Sequence, residues 1–396
     1  MNFEDIKQKA QKYLVNSYAP FEFCAVSGKN ATLCGIDGRE YIDFTSGIGV
    51  NSLGAANEGW AEAVSKQAST LQHISNLYYN PTTVLLAEKL CNASGFEKAF
   101  FCNSGAEANE CAIKIARKYS FDKYGDGRNE IITLKNSFHG RTVTTLSATG
   151  QDAFHNFFFP FTEGFKFVTA NDCEELKNAI DDRTCAVMIE LVQGEGGLIP
   201  LQSDYVRFVR DICSEKDVIM IADEVQTGVG RTGKLYAFEN FSIRPDMITS
   251  SKGLGGGLPI GACLVSEKLG DVIMPGQHGT TFGGNPVCCA AALEVISKVS
   301  EKEFLEEVSK KAQYFKQKLQ GFDELQNIRG LGLMIGADVK DAAASDVVKL
   351  AVKNGLLMLT AKTSLRFLPP LTITYEEIDL GMEILGKVFK TISEGK

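Results

Sequence analysis

Val218-Ile219-Met220-Ile221-Ala222-Asp223-Glu224-Val225-Gln226-Thr227-Gly228 holds five apolar residues in a row and then two acids. An apolar run this short, with no alternation, reads as a β-strand covered on both faces, the form strands take in parallel α/β sheets. Asp223 then falls at the carboxyl end of the strand, where open α/β sheets bind ligands. A carboxylate there calls for a cationic partner, because poorly solvated charge is costly. Taken alone, the same residue serves equally as a helix cap or a surface turn.

Outward from this run the pattern repeats. Residues 99–102, 130–133, 185–189, 247–249 and 261–265 are further strand candidates. Between them, residues 107–119 put Ala108, Cys111, Ala112, Ile115, Ala116 and Tyr119 on one helical face. Residues 204–215 do the same with Tyr205, Phe208, Val209 and Ile212. Strands alternating with helices predict an α/β fold. Beyond Asn285-Pro286 the texture changes to charge-laced helical stretches (287–319), then short strands near 329–337 and 365–367, then a last helix. Residues 32–44, with turn signals at Gly35 and Asp37-Gly38, predict a small β meander. The expected architecture is a large central α/β domain with a mostly parallel sheet over residues 57–285. A smaller α+β domain would combine residues 286–396 with an N-terminal segment, residues 1–56.

A chain of 396 residues is too long for one small core. Its 44% hydrophobic and 23% charged residues are those of an ordinary globular protein, which argues against disorder. A net charge of −8 argues against a nucleic-acid or anionic-membrane surface, yet leaves room for a local basic pocket taking a small anionic substrate. The eleven cysteines include no Cys-x-x-Cys pair, and only four histidines could join them around a metal. They read as reduced thiols rather than metal ligands, in a cytoplasmic protein. The first residues lack the apolar stretch of a signal peptide, and no segment reaches the ~18 apolar residues needed to cross a bilayer.

Four segments carry chemistry. At the end of a short strand, Lys252 is followed by Gly253-Leu254-Gly255-Gly256-Gly257. Glycines let the backbone pass close to a bulky ligand, and a desolvated lysine becomes a nucleophile for carbonyls. A lone loop lysine is otherwise an ordinary solvated charge. Ser104-Gly105-Ala106 opens a helix whose first N–H groups suit a phosphate, while Ser104 with Glu107 also spells a capping box. Phe138, beside His139 and Gly140, could stack on a planar ring or simply fill the core. Asp223 is the fourth. Together they suit a flat cationic heteroaromatic ring bearing a phosphate and an aldehyde, and pyridoxal phosphate meets all four demands.

The segments NSGAEANE (103–110), SFHGRT (137–142), IELVQGEGG (189–197), ADEVQTGVGRTG (222–233), SSKGLGGGLPIGA (250–262), HGTTFGGNP (278–286) and LRFLPPL (365–371) stand in this order. In these, the chain resembles the class III (ω-amino acid) pyridoxal-phosphate aminotransferases over nearly its whole length. The resemblance implies the type I fold of pyridoxal-phosphate transferases and a homodimer with shared active sites. It implies Lys252 as the lysine bonded to the cofactor and as catalytic base, with Asp223 as partner of the pyridine nitrogen. Phe138 would be the stacking aromatic, Gln226 the neighbour of the ring hydroxyl, and Ser104, Gly105 and Ala106 the phosphate loop. Thr281 would reach the phosphate of the neighbouring subunit. Arg366 would hold the α-carboxylate of glutamate or 2-oxoglutarate, Glu195 would shield that arginine, and Arg141 would take a substrate carboxylate. Glu190 lies near the cofactor in this family and receives no role.

The wording is most similar to the members that act on N-acetylornithine, with succinylornithine, ornithine and 4-aminobutyrate as rival donors. Gly47 stands where ornithine-specific members carry a tyrosine, which favours an acylated amine. Departures from the family pattern fall at residues 54–60, at Ser250-Ser251 and at Ala106. A separate segment, Gly228-Val229-Gly230-Arg231-Thr232-Gly233-Lys234, matches G-x-G-x-x-G and nearly a P-loop. Leu235 replaces the hydroxyl a P-loop needs, and no helix pattern follows, so an NAD or ATP enzyme is the distant alternative.

Overall fold

The computed structural model describes residues 1–394. Its largest sheet has seven strands, in spatial order Lys98–Cys102, Gly261–Val265, Met247–Ser250, Ile219–Asp223, Thr184–Ile189, Glu130–Leu134 and Phe165–Val168. Only Gly261–Val265 runs against its neighbours. The central strands are buried on both faces, as their unbroken apolar sequences require. Successive side chains point to opposite faces. Ala186, Met188, Ile219, Ile221 and Met247 pack with Cys111, Ala112, Ile115 and Ala116 of the helix Gly105–Tyr124. Val187, Ile189, Met220 and Ala222 join Val206, Val209 and Cys213 of the helix Ser203–Glu215 on the other face.

Six of these strands are legible as apolar runs, and the expected helices 107–119 and 204–215 fall inside Gly105–Tyr124 and Ser203–Glu215. The seventh strand, Phe165–Val168, is an edge strand only partly covered. Its Lys166 is ion-paired to Glu130 (2.6 Å) and Asp181 (2.9 Å), a charge on an exposed edge that breaks the apolar signal. The stretch 287–319 is two helices, Pro286–Val299 and Lys302–Gln320, parted at Glu301, whose backbone is extended. Neither glycine nor proline marks that break.

A second sheet joins Ala25–Lys29, Thr32–Gly35 and Glu40–Asp43 to Leu356–Leu357, which pairs parallel with Glu40–Asp43. A third is antiparallel, in the order Leu325–Leu331, Met334–Val339, Ser364–Phe367, Leu359–Ala361. The helix Tyr375–Glu394 follows. Among the described residues, no helix is long and apolar enough to cross a membrane.

Candidate active site

Because six of the seven strands are parallel, their carboxyl ends meet at one edge of the sheet. The chain leaves Cys102 into Ser104, Leu134 into Phe138, Ile189 into Glu190, and Ser250 into Lys252, while Asp223 ends its own strand. Close approaches then knit these loops together. A Cβ on Gly105 would lie 2.6 Å from Val225 Cγ1, one on Gly140 would lie 2.8 Å from Ala106 Cβ, and one on Gly194 would lie 2.5 Å from Gln226 Oε1. Glycine is needed at each for the loops to touch.

Asp223 is buried, and three donors fix its carboxylate. His139 Nδ1 and Asn109 Nδ2 lie 2.8 Å from Oδ2, and the Val225 amide donates to Oδ1 over 3.0 Å. His139 also donates its backbone N–H to Thr149 Oγ1 (3.0 Å), and its Nε2 has no partner among the described residues. Neither His139 nor Asn109 is assigned from sequence, although both lie inside the quoted motifs 103–110 and 137–142. The missing signal is spatial: the two lie 30 residues apart.

Lys252 is half-buried and has φ of +38°, and its side chain makes no hydrogen bond or ion pair among the described residues. Positive φ is uncommon for a side-chain-bearing residue and costs backbone energy, a feature that clusters at functional sites. Burial pushes its ammonium below the ordinary lysine range, and the charge of Arg366 adds to that, against opposing pulls from Glu195, Asp223 and Glu190. The following glycines pass beneath Trp60, whose indole N–H donates to Gly255 O over 3.0 Å. The departure at residues 54–60 thus places the sole tryptophan against the lysine loop. Ser250 and Ser251 are buried, with Ser251 Oγ donating to Ile260 O (2.7 Å) and Tyr236 Oη to Ser250 Oγ (3.4 Å).

Ser104 caps the helix Gly105–Tyr124, its Oγ accepting from the Glu107 amide at 3.2 Å. Capping leaves the first-turn N–H groups of Gly105 and Ala106 without intrahelical acceptors, as at every helix start. Phe138 meets Phe154 edge-on, with centroids 6.0 Å apart. The exposed Arg141 guanidinium lies 4.1 Å from the Phe154 ring centroid and 5.5 Å from that of Phe138.

Arg366 is buried on the strand Ser364–Phe367. Its fork donates to Glu195 through Nη1–Oε2 (3.1 Å) and Nη2–Oε1 (2.7 Å), and Nη2 also reaches Gln226 Oε1 at 3.0 Å. Burial raises the Glu195 carboxyl, but the charge and hydrogen bonds of Arg366 outweigh it and leave Glu195 below the ordinary range. Glu190 accepts from the Phe138 amide (2.8 Å) and the Gly194 amide (3.1 Å), tying two site loops together. Burial lifts its carboxyl to about 7, with nearby Asp223 adding to the rise.

Two expected residues stand apart. Thr281 is exposed, and the neighbouring Thr280, not Thr281, accepts from Asn103 Nδ2 at 3.1 Å. Gly47 sits exposed at φ +65°, with only Val50 and Asn51 within 4 Å of where a side chain would begin. Its turn abuts the lysine loop, since a Cβ on Gly253 would lie 2.5 Å from Ser52 Oγ. The glycines at 228–234 serve packing. Arg231 is fully buried and donates to Leu333 O (3.0 Å) and Pro369 O (2.5 Å), which fills the loop with protein contacts.

The residues present fit pyridoxal phosphate. A fixed buried carboxylate suits a cationic ring nitrogen, an unpartnered amine suits an aldehyde, and open first-turn N–H groups suit a phosphate. Residues 13–389 match the family model for aminotransferase class-III. The acetylornithine aminotransferase of Haemophilus ducreyi is 49% identical over 390 residues, covering 98% of this chain and 99% of that protein. The ornithine aminotransferase of Toxoplasma gondii ME49 superposes with a TM-score of 0.95 at 32% identity, covering 100% of this chain and 97% of that one. A second structure of the T. gondii enzyme, with pyridoxal phosphate partly occupying its active site, superposes at 0.93 with 32% identity over 99% of this chain and 95% of that one.

Proposed function

The chain belongs to the class III aminotransferases, and from that premise we propose that it moves the δ-amino group of N-acetylornithine to 2-oxoglutarate, a step of arginine biosynthesis. The products are N-acetylglutamate semialdehyde and glutamate. Pyridoxal phosphate, the cofactor, supplies an aldehyde that takes up amino groups and a ring that accepts an electron pair. Asp223, held by His139 and Asn109, keeps the proton on the pyridine nitrogen. Lys252 would hold the cofactor through its amine and, as a free amine, would serve as the base that takes the proton from the amine-bearing carbon of the substrate. Gly105, Ala106 and Ser104 would hold its phosphate, Phe138 would stack on its ring, and Gln226 would serve the ring hydroxyl.

The observation that carries the two-substrate reading is the bidentate Glu195–Arg366 pair. Arg366 binds the α-carboxylate of 2-oxoglutarate or glutamate, and Glu195 covers it while the δ-amine is in place. Arg141, exposed and without a carboxylate partner in its ring stack, takes a carboxylate of the donor. The space over Gly47 accommodates the acyl group. Thr281 faces outward, as it would to complete the phosphate site of a second subunit, so we propose a homodimer. The chain divides into residues 1–56, 57–285 and 286–396, a division supported by the pairing of Glu40–Asp43 with Leu356–Leu357. A reducing cytoplasm suits its eleven thiols.

The visible spectrum of the purified holoenzyme tests the reading. N-acetylornithine should bleach the band of the lysine-bound cofactor, and 2-oxoglutarate should restore it. A band indifferent to N-acetylornithine but bleached by ornithine, succinylornithine or 4-aminobutyrate would move the donor assignment to that amine.

A further inference from the structure

Arg329 lies on the strand Leu325–Leu331, opposite Gly336, and its guanidinium reaches both the loop that carries Glu195 and the strand that carries Arg366. Nε donates to Gly197 O at 2.9 Å, two residues beyond Glu195. Nη2 donates to Ser364 Oγ at 2.7 Å, two residues before Arg366 on the same strand. Nη1 meets Asp338 Oδ1 and Asn327 O, each at 2.9 Å, and Ser364 Oγ closes the network by donating to Asp338 Oδ1 at 2.6 Å. Residues two apart on a strand share one face, so Ser364 and Arg366 are carried as a unit. Gly197 has φ of +112°, a conformation that glycine adopts at no steric cost.

We propose that Arg329 is a positioning residue for the gate: it fastens the loop of Glu195 to the strand of Arg366 and so favours the state in which Glu195 covers Arg366. This rests on the roles proposed above for those two residues. Asp338 neutralises the Arg329 charge, so what Arg329 adds to the site is geometry. A lysine could reach Gly197 O or Ser364 Oγ but could not span both with one nitrogen. Leu198 packs on Gly336, where a Cβ would lie 3.1 Å from Leu198 Cβ, so the downstream end of the loop stays seated without Arg329.

The experiment compares holoenzyme carrying Arg329→Gln, Arg329→Lys or Ser364→Ala with the unaltered enzyme. Separate KM values are measured for N-acetylornithine and for 2-oxoglutarate. In Arg329→Gln, the KM for N-acetylornithine rises about tenfold, the weight of one hydrogen bond from a charged donor. The KM for 2-oxoglutarate stays within about twofold, and Arg329→Lys and Ser364→Ala fall between. In a Glu195→Ala background, Arg329→Gln adds nothing further to the donor KM. A parallel rise in both KM values, or a donor effect that persists without Glu195, would overturn the proposal. Should Arg329→Gln melt early by circular dichroism, Ser364→Ala carries the same comparison. An unaltered enzyme that uses no ω-amino donor would instead overturn the two-substrate reading itself.

Discussion

Replacing Arg366 by lysine separates the charge of this residue from its shape. In the structure its fork makes three hydrogen bonds, at 3.1 and 2.7 Å to the two oxygens of Glu195 and at 3.0 Å to Gln226. In the proposed mechanism Glu195 withdraws and the same planar fork receives the α-carboxylate of 2-oxoglutarate. Lysine keeps the charge, but one nitrogen cannot meet both carboxylate oxygens in their plane. Losing one hydrogen bond between charged groups costs about 1.5–3 kcal/mol. At about 1.4 kcal/mol per factor of ten, kcat/KM for 2-oxoglutarate should fall about 10- to 150-fold. Lysine keeps a positive charge opposite Glu195, so no unpaired carboxylate is left, and a melting curve run alongside separates a folding loss from a lost substrate contact. The assay follows each half-reaction separately by the visible band of the cofactor, in stopped flow, with N-acetylornithine and then with 2-oxoglutarate. The donor half-reaction should change less than about threefold. An equal loss in both half-reactions, or a loss with 2-oxoglutarate below about threefold, would refute the assignment of Arg366 to that carboxylate.

Lys252→Ala should lose the visible band of the bound cofactor and at least about a thousandfold in turnover, within the span of a lost general base; normal turnover would sink the assignment. Asp223→Asn removes a charge whose pairing with a ring cation is worth on the order of 4 kcal/mol at 4 Å, partly offset by easier desolvation, so kcat should drop about a hundredfold. Turnover within about threefold of the unaltered enzyme would show that the ring nitrogen does not need this charge. Trp60→Phe deletes the indole hydrogen bond to Gly255 O and should lower unfolding free energy by about 0.5–1.5 kcal/mol in urea titration. No change there would mean that the lysine loop holds its shape without the indole.

The sheet was legible because its central strands are buried on both faces, so their sequences are simple apolar runs and their polar ends mark one edge. The same feature made Asp223 and Lys252 readable, since each is the first charged residue after such a run. Phe165–Val168 escaped because an edge strand has one wet side and carries Lys166 there. His139 and Asn109 went unassigned for a different reason. A carboxylate at a strand end announces a need for donors, but donors 30 residues apart converge only when the helix Gly105–Tyr124 packs beneath the sheet. The role of Glu190 was hidden likewise, because its partners are backbone amides at Phe138 and Gly194, which no side-chain pattern reveals. Arg329 lies in a strand whose register shifts between Gln326 and Arg329, and it gains its importance from Gly197 and Ser364, 132 and 35 residues away.

The charges around Lys252 explain why Arg366 should never stand uncovered. Burial and Arg366 both push the lysine towards the neutral amine, and Glu195 is foremost among the carboxylates that oppose them. On the roles proposed above, Glu195 offsets Arg366 with the ω-amino donor bound, and the substrate's own carboxylate does so with 2-oxoglutarate bound. Lys252 would therefore meet nearly the same field in both half-reactions, and one amine would act as base at one pH for two unlike substrates. Glu195→Ala breaks this symmetry on one side only. With the donor bound, Arg366 then acts unopposed, Lys252 loses its proton at lower pH, and the rising limb of the donor half-reaction profile moves to lower pH. With 2-oxoglutarate, the profile should overlay that of the unaltered enzyme, because the substrate carboxylate still covers Arg366. Equal displacement of both profiles, or a donor limb moved to higher pH, would show that Glu195 does not act on Lys252 through Arg366.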